Sequence, residues 1–344
     1  MLGLQNAGTH LLAVAALALS SSLAGSAIAA PPKAENAVVA APDLAKGTHL
    51  VTLGTGGGPI VREDRAQPAN LLIVDGRKYL IDVGSGVELQ LRRAGFAPYD
   101  VDRVFITHLH FDHVGGFASL LGSNWASGRQ PIAVYGPPGT DRLVKGAAQY
   151  LGPSEDLFGA IFPPGLPLAQ MADVHEMAGK GKFLVYQDDK IKVYAVENSH
   201  YSTIPKAKVE ANNWRSYSLR FETPDKVVVF TGDTGPSAAV EGLAKGADIL
   251  VSEIVDVPET VNYLRETFRA TDEKLGPLVA HMEEEHLTSS AVADLANRAG
   301  VKMVVVSHLA PGLGKPVLDS VKYATQIANS YQGRVVIAQD LEGF

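Results

Sequence analysis

"THLHFDHVGG", Thr107 to Gly116, places three histidines and an aspartate within six consecutive positions of a chain that has ten histidines in 344 residues. The spacing is H-x-H-x-D-H, carried by His108, His110, Asp112 and His113. The run that delivers it, "VDRVFITH" from Val101 to His108, is β-branched and aromatic and reads as a strand. The cluster therefore occupies the loop at a strand's carboxyl end, where α/β folds build their sites. A loop leaving a strand can turn His108 and His110 toward one cation and Asp112 and His113 toward a second. Imidazole and carboxylate suit such cations, and a solvated histidine-rich loop has no reason for this spacing.

The flanks supply the rest of the fold. Residues 48–54 form an apolar strand followed by the turn "GTGGGP", and "NLLIVDGRKYLIDVG" is a hairpin about Asp75-Gly76. "GVELQLRRAG" and "DRLVKGAAQYL" read as helices, while "PIAVYG", "KFLVYQ" and "IKVYAVE" read as strands. "SYSLRFETPDKVVVFTGD" is a second hairpin, followed by two helix-to-strand units, "AAVEGLAKGADILVSEI" and "HLTSSAVADLANRAGVKMVVVSHLAP". "VLDSVKYATQIANSYQ" and "GRVVIAQD" close the chain. Two strand-rich halves with helices between them predict an α/β fold, a four-layer αβ/βα sandwich.

Three more candidate ligands end strands: His200 in "ENSHYS", Asp233 in "FTGDTG" and His308 in "SHLAP". Two cations held about 3.5–4 Å apart need an anionic bridge to offset their repulsion. The expected site puts His108, His110 and His200 on one ion, Asp112, His113 and His308 on the other, and Asp233 between them.

Composition narrows the function. With 46% hydrophobic and 19% charged residues and a net charge of −7, neither general disorder nor a polyanion-binding surface is indicated. There is no cysteine, which removes thiolate nucleophiles and thiolate metal sites. Residues 1–29 carry no Asp, Glu, Lys or Arg and end in small residues, the pattern of a secretory signal, with an uncleaved anchor as the alternative. A periplasmic or secreted protein is expected, with a disordered leader over 30–47 and one hydrolase domain over 48–344. No later stretch is apolar enough to span a bilayer.

From about His49 to Pro311, the motifs "TLGTGGGP", "NLLIVDGRKYLIDVG", "THLHFDHVGG", "FTGDT", "GADILVSEI", "HLTSS" and "VVVSHLAP" resemble the metallo-β-lactamase fold superfamily. Within it they are similar to the branch of ribonuclease Z and the metallo-β-lactamase-type arylsulfatases. True β-lactamases fit less well, because their sites generally lack a bridging Asp in a "GDT" segment. The resemblance implies two Zn2+ ions, replaceable by Mn2+. Two such ions bring a shared water to a pKa near 7, so that a metal-bound hydroxide attacks the ester, with Asp112 orienting it. The ribonuclease Z pattern further implies that His286 in "HLTSS" protonates the leaving group and that Glu253 in "VSEI" is its partner.

The substrate is read from what surrounds those motifs. The interval Leu151 to Lys180, where ribonuclease Z carries its tRNA-gripping arm, has Glu155, Asp156, Asp173 and Glu176 against one Lys and no Arg. Such a segment does not neutralise phosphates, so a nucleic-acid partner is not expected. Phe162, Tyr263 and Phe268 could wall the site for an aryl group, or the last two could simply bury a helix face. The first expectation is thus an exported dizinc hydrolase of aryl sulfates or related small-molecule esters, with a homodimer allowed. A phosphodiesterase acting on small phosphodiesters or cyclic nucleotides is the alternative, and a non-catalytic metal-binding protein is the alternative of another class.

Overall fold

The computed structural model describes residues 43–162, 165–311 and 316–344, the stretch 316–318 by its backbone alone. The expected signal, residues 1–29, and most of the expected leader lie outside the described residues. The leader's last five residues, 43–47, form a turn. In it Lys46 N donates to the Asp43 carbonyl and Gly47 N to Asp75 Oδ1, at 2.9 Å for the latter.

Strand β1 (Thr48–Gly54) pairs antiparallel with β2 (Ala69–Val74), and β2 turns directly into β3 (Arg77–Ile81). The two turn residues, Asp75 and Gly76, have φ of +46° and +82°. A two-residue hairpin needs this left-handed pair, which Asp tolerates and Gly adopts freely. The chain continues through α1 (Val87–Arg93), β4 (Arg103–Phe105), the single turn α2 (Phe111–Val114), α3 (Phe117–Ala126), β5 (Ile132–Gly136), α4 (Thr140–Ile161) and β6 (Ala172–Glu176). The second half runs β7 (Phe183–Gln187), β8 (Lys192–Glu197), α5 (Lys206–Asn212), β9 (Tyr217–Glu222), β10 (Val227–Phe230), α6 (Ala238–Ala244) and β11 (Ile249–Val255). It continues with α7 (Val257–Phe268), α8 (Asp272–Glu285), α9 (Ser289–Ala299), β12 (Met303–Ala310), α10 (Pro316–Ala328), β13 (Arg334–Ile337) and β14 (Glu342–Gly343).

These strands form two seven-stranded sheets, β14-β1-β2-β3-β4-β5-β6 and β13-β12-β11-β10-β9-β8-β7. Their inner faces meet: Leu72, Tyr79 and Phe105 of the first sheet share one buried cluster with Tyr217, Phe221 and Val305 of the second. The outer face of the first sheet buries Leu71, Leu80 and Val104 against Leu91, Leu120 and Val144 of its helices. The second sheet likewise buries Val229, Leu250 and Val304 against Val240, Val292 and Ile327. Because both faces are covered, "ANLLIV" of β2 is apolar at every position but Asn70 rather than alternating, and all six residues are buried. The result is the four-layer αβ/βα sandwich that the sequence predicts. Leu72 is fully buried between the sheets, and truncating it to Ala would cost about 2–5 kcal/mol.

Four local departures matter for the site. Strand β4 ends at Phe105, not at His108, because Asp82 Oδ1 takes the Thr107 N–H at 2.8 Å and pulls the chain out of the sheet. Helix α4 runs on to Ile161, and β6 occupies the interval where the sequence reading placed no element. The insertion before His286 folds as α7 and α8. Phe162 packs with Phe158, itself against Trp125, around a cavity of about 470 Å³ between α3 and the end of α4, so it does not wall the histidine cluster. Among the described residues no helix is long and apolar enough to cross a membrane.

Candidate metal centre

All the expected ligands leave the carboxyl ends of strands on one side of the sandwich. His108 and His110 follow β4, and Asp112 and His113 sit on the α2 turn. His200 follows β8, Asp233 follows β10, and His308 lies in β12. A bulge aims two of the residues: the β11–β12 register passes from Ser252↔Val306 to Ile254↔Leu309, so Glu253 alone opposes Ser307 and His308. Bulges re-aim side chains in this way, and His308 adopts φ +73°, a left-handed value that an imidazole residue holds only under constraint.

The side chains converge as the sequence predicts. His108, His110, His200 and Asp233 form one group of ligand atoms mutually within 4.8 Å, and Asp112, His113 and His308 form another. Asp233 lies between them. Its Oδ2 is 3.8 Å from both His108 Nε2 and His200 Nε2 and 3.2 Å from His308 Nε2, while its Oδ1 is 3.2 Å from His113 Nε2. Asp112 Oδ2 is 3.6 Å from His113 Nε2 and 3.5 Å from His308 Nε2.

Whether a cation fits can be read from the unmet polar atoms. His108 Nε2, His113 Nε2, His308 Nε2 and Asp233 Oδ1 are buried without a hydrogen-bond partner among the described residues. Leaving such atoms unpaired costs one to several kcal/mol each unless something binds them. Four of them facing one space is the donor set of a metal cluster.

The opposite edge of most of these rings is fixed. His113 Nδ1 donates to Asp82 Oδ2 at 2.9 Å, His200 Nδ1 to the Glu285 carbonyl at 3.2 Å, and His108 Nδ1 pairs with Thr107 Oγ1 at 3.1 Å. Such outer partners set the tautomer that presents Nε2 to a metal. Gly58 N donates to Asp112 Oδ2 at 2.9 Å, from a loop so close that a Cβ on Gly58 would lie 2.3 Å from the Asp112 carboxyl group.

Electrostatics follow from this crowding. Burial holds His108 and His200 well below the ordinary histidine range. For Asp233, burial pushes the carboxyl up, but His308 and His113 more than offset it and hold it well below the carboxylate range. In the metal-free protein His308 is pushed up to about 10, because Asp233 and Asp112 outweigh its burial.

His286 and Glu253 stand beside this cluster. His286 lies in the short link between α8 and α9, rather than at a helix start, and its Nδ1 is 2.6 Å from Glu253 Oε2. Burial lowers the imidazole pKa, but Glu253 raises it further, so the ring is held above the ordinary value. The Thr234 N–H donates to the other carboxylate oxygen at 2.6 Å. Tyr263 and Phe268 lie together on α7, their ring centroids 5.9 Å apart, with Phe268 63% exposed.

Three nearby residues escape the sequence reading: Asp82, His281 and Glu285. Asp82 ends "YLID" at a strand end, as the ligands do, and that position was its only signal. His281 and Glu285 come from the insertion helix α8, which has no spacing to mark them.

Two face-to-face sheets with this ligand cluster at their strand ends define a metal-dependent hydrolase of the metallo-β-lactamase fold, on its ribonuclease Z branch. The family described as "Anti-Pycsar protein Apyc1" matches residues 48–254, and the chain belongs to it. A ribonuclease Z of Mycobacterium sp. (strain KMS) is 27% identical over 299 residues, covering 85% of this chain and 94% of the relative. Among solved structures, the metallo-β-lactamase fold protein YhfI from Bacillus subtilis superposes with a TM-score of 0.60 at 17% identity, over 86% of this chain and 98% of its own. Human tRNase Z, short form, gives 0.58 at 19% identity over the same shares, 86% and 98%.

Proposed function

We propose that this hydrolase is a dizinc phosphodiesterase acting on small phosphodiesters, a class that includes cyclic nucleotides. The observation that carries the reading is the buried His286–Glu253 pair beside the ligand cluster. Nitrogen and oxygen donors without thiolate suit zinc, with manganese as a substitute. His108, His110 and His200 would hold one ion, Asp112, His113 and His308 the other, with Asp233 bridging. When bound, two such ions supply Lewis acidity and an acidified water at neutral pH.

The chain's own groups do the rest. Asp112, fixed by the Gly58 N–H, orients the attacking water. His286 keeps its proton because Glu253 faces Nδ1, which leaves Nε2–H to protonate the departing oxygen. An alkoxide leaving group needs that proton far more than an aryl sulfate does. The aryl sulfate expectation also loses its supporting wall, since Phe162 packs at α3 and α4 and Phe268 is largely exposed.

RNA is the second reading, favoured by the length of ribonuclease Z that the chain matches. Against it, Glu155, Asp156, Asp173 and Glu176 lie on or beside α4 and β6, where a phosphate-gripping arm would need cations. The test is hydrolysis of bis-p-nitrophenyl phosphate, p-nitrophenyl sulfate and a precursor tRNA by zinc-loaded protein, with Asp233→Ala as control. Turnover of the diester alone supports the proposal. Cleavage of the tRNA alone makes the chain an RNase, and turnover of the sulfate restores the aryl sulfate expectation. We also propose that residues 1–29 export the protein, which fractionation of expressing cells would check.

A further inference from the structure

Beside His286 and His308, a third histidine reaches the centre from outside the matched family region. Helix α8 carries His281, whose ring centroid is 5.7 Å from that of His200 and 5.1 Å from that of His286. Its side chain is 30% exposed, so it faces accessible space rather than the core. Three hydrogen bonds build the clamp that holds it. His281 Nδ1 bonds one oxygen of the Glu285 carboxylate, and the other oxygen accepts from both Thr203 N and Thr203 Oγ1, the hydroxyl at 2.8 Å. The Glu285 backbone carbonyl meanwhile receives His200 Nδ1, which ties the clamp to a ligand ring. Glu285 is itself 1% exposed.

A carboxylate accepts only, so Nδ1 carries a hydrogen toward Glu285 and Nε2 is left without a partner among the described residues. The ligand cluster and His286 face the phosphoryl group, so a ring at their edge meets the rest of the ester. We infer that His281 is a specificity-determining residue, whose Nε2 hydrogen-bonds the organic group of the ester. This rests on the phosphodiesterase reading above.

Two chromogenic diesters separate the possibilities: thymidine 5′-p-nitrophenyl phosphate, which carries a hydroxyl and an imide N–H, and bis-p-nitrophenyl phosphate, which carries neither. In zinc-loaded protein, His281→Ala should raise KM for the thymidine ester about tenfold, the worth of one hydrogen bond. The KM for bis-p-nitrophenyl phosphate, both kcat values and the zinc content should stay within about twofold, and His281→Gln, which keeps a polar hydrogen-bonding group, should recover part of the loss. Titration calorimetry gives a readout independent of turnover: thymidine 5′-monophosphate should bind His281→Ala more weakly, phenyl phosphate equally. Equal changes for both esters, a change in kcat alone, or loss of zinc overturns the inference while leaving the phosphodiesterase reading in place. Wild-type protein that binds zinc yet cleaves neither ester overturns that reading, and this inference with it.

Discussion

His113 with Asp82 and His286 with Glu253 are two buried imidazole–carboxylate pairs of nearly the same geometry, 2.9 Å and 2.6 Å from Nδ1 to oxygen. They differ in what the far nitrogen meets. His113 Nε2 is 3.2 Å from Asp233 and 3.6 Å from Asp112, inside the ligand cluster, and has no hydrogen-bond partner among the described residues. His286 belongs to neither ligand group. A carboxylate behind an imidazole therefore does not by itself specify a role. On the proposed function, the same device fixes a ligand where carboxylates surround the front of the ring, and a proton donor where they do not.

Removing the group that makes the difference should have the largest effect. Asp233→Ala takes away the bridge, and activity should fall to background with zinc lost, as measured by metal analysis after dialysis. Zinc retained at full stoichiometry would show that the two ligand groups stand without it. In the wild type, zinc must displace the protons that Asp233 and Asp112 hold on His308, so its affinity should rise from pH 6 to pH 8.

Next in size is the donor pair. With a cyclic nucleotide, whose alkoxide leaving group needs a proton, His286→Ala should lower kcat by about 10²–10⁴-fold with two zincs still bound, and zinc loss would erase the distinction between the pairs. Asp82→Asn should act on the other side of the comparison, weakening zinc by about 10–100-fold while kcat at saturating zinc changes little. A collapse of kcat at full occupancy would instead assign Asp82 to the chemistry.

The smallest effect is expected from a carboxylate that touches neither pair. Asp188, at the opposite end of β3 from Asp82, accepts from Arg77 and Tyr79 at 2.8 Å each and from Tyr186 at 2.9 Å. Burial pushes its carboxyl up, but the Lys190 and Ile191 N–H groups and the tyrosines more than offset this and hold it below the ordinary range. A depressed pKa contributes stability above the unfolded value, near pH 4, and loses it as pH falls further. Asp188→Asn should thus cost about 1–3 kcal/mol at pH 7, with zinc and kcat unchanged. The gap to wild type in urea unfolding should narrow below pH 4.

Much of this was legible in the chain. The H-x-H-x-D-H spacing, His200, Asp233 and His308 were readable because ligand-type residues at the ends of apolar strands have few other reasons to be there. Asp82 sits at such an end too, yet a lone aspartate after a hairpin looks like any turn residue until His113 is seen against it. His281 and Glu285 carried no signal, since their role depends on where an inserted helix lands. Phe162 misled for the same reason: distance along α4 does not tell which way its end points.

Sequence by itself determined the layers and the ligand types, because hydrophobic period and donor chemistry are local properties of the chain. Tertiary structure alone decided that Asp82 stands behind His113 and the Glu285 carbonyl behind His200. Those pairings turn on contacts of a few ångströms between residues 31 and 85 positions apart, where hydrogen bonding acts and sequence spacing carries no information.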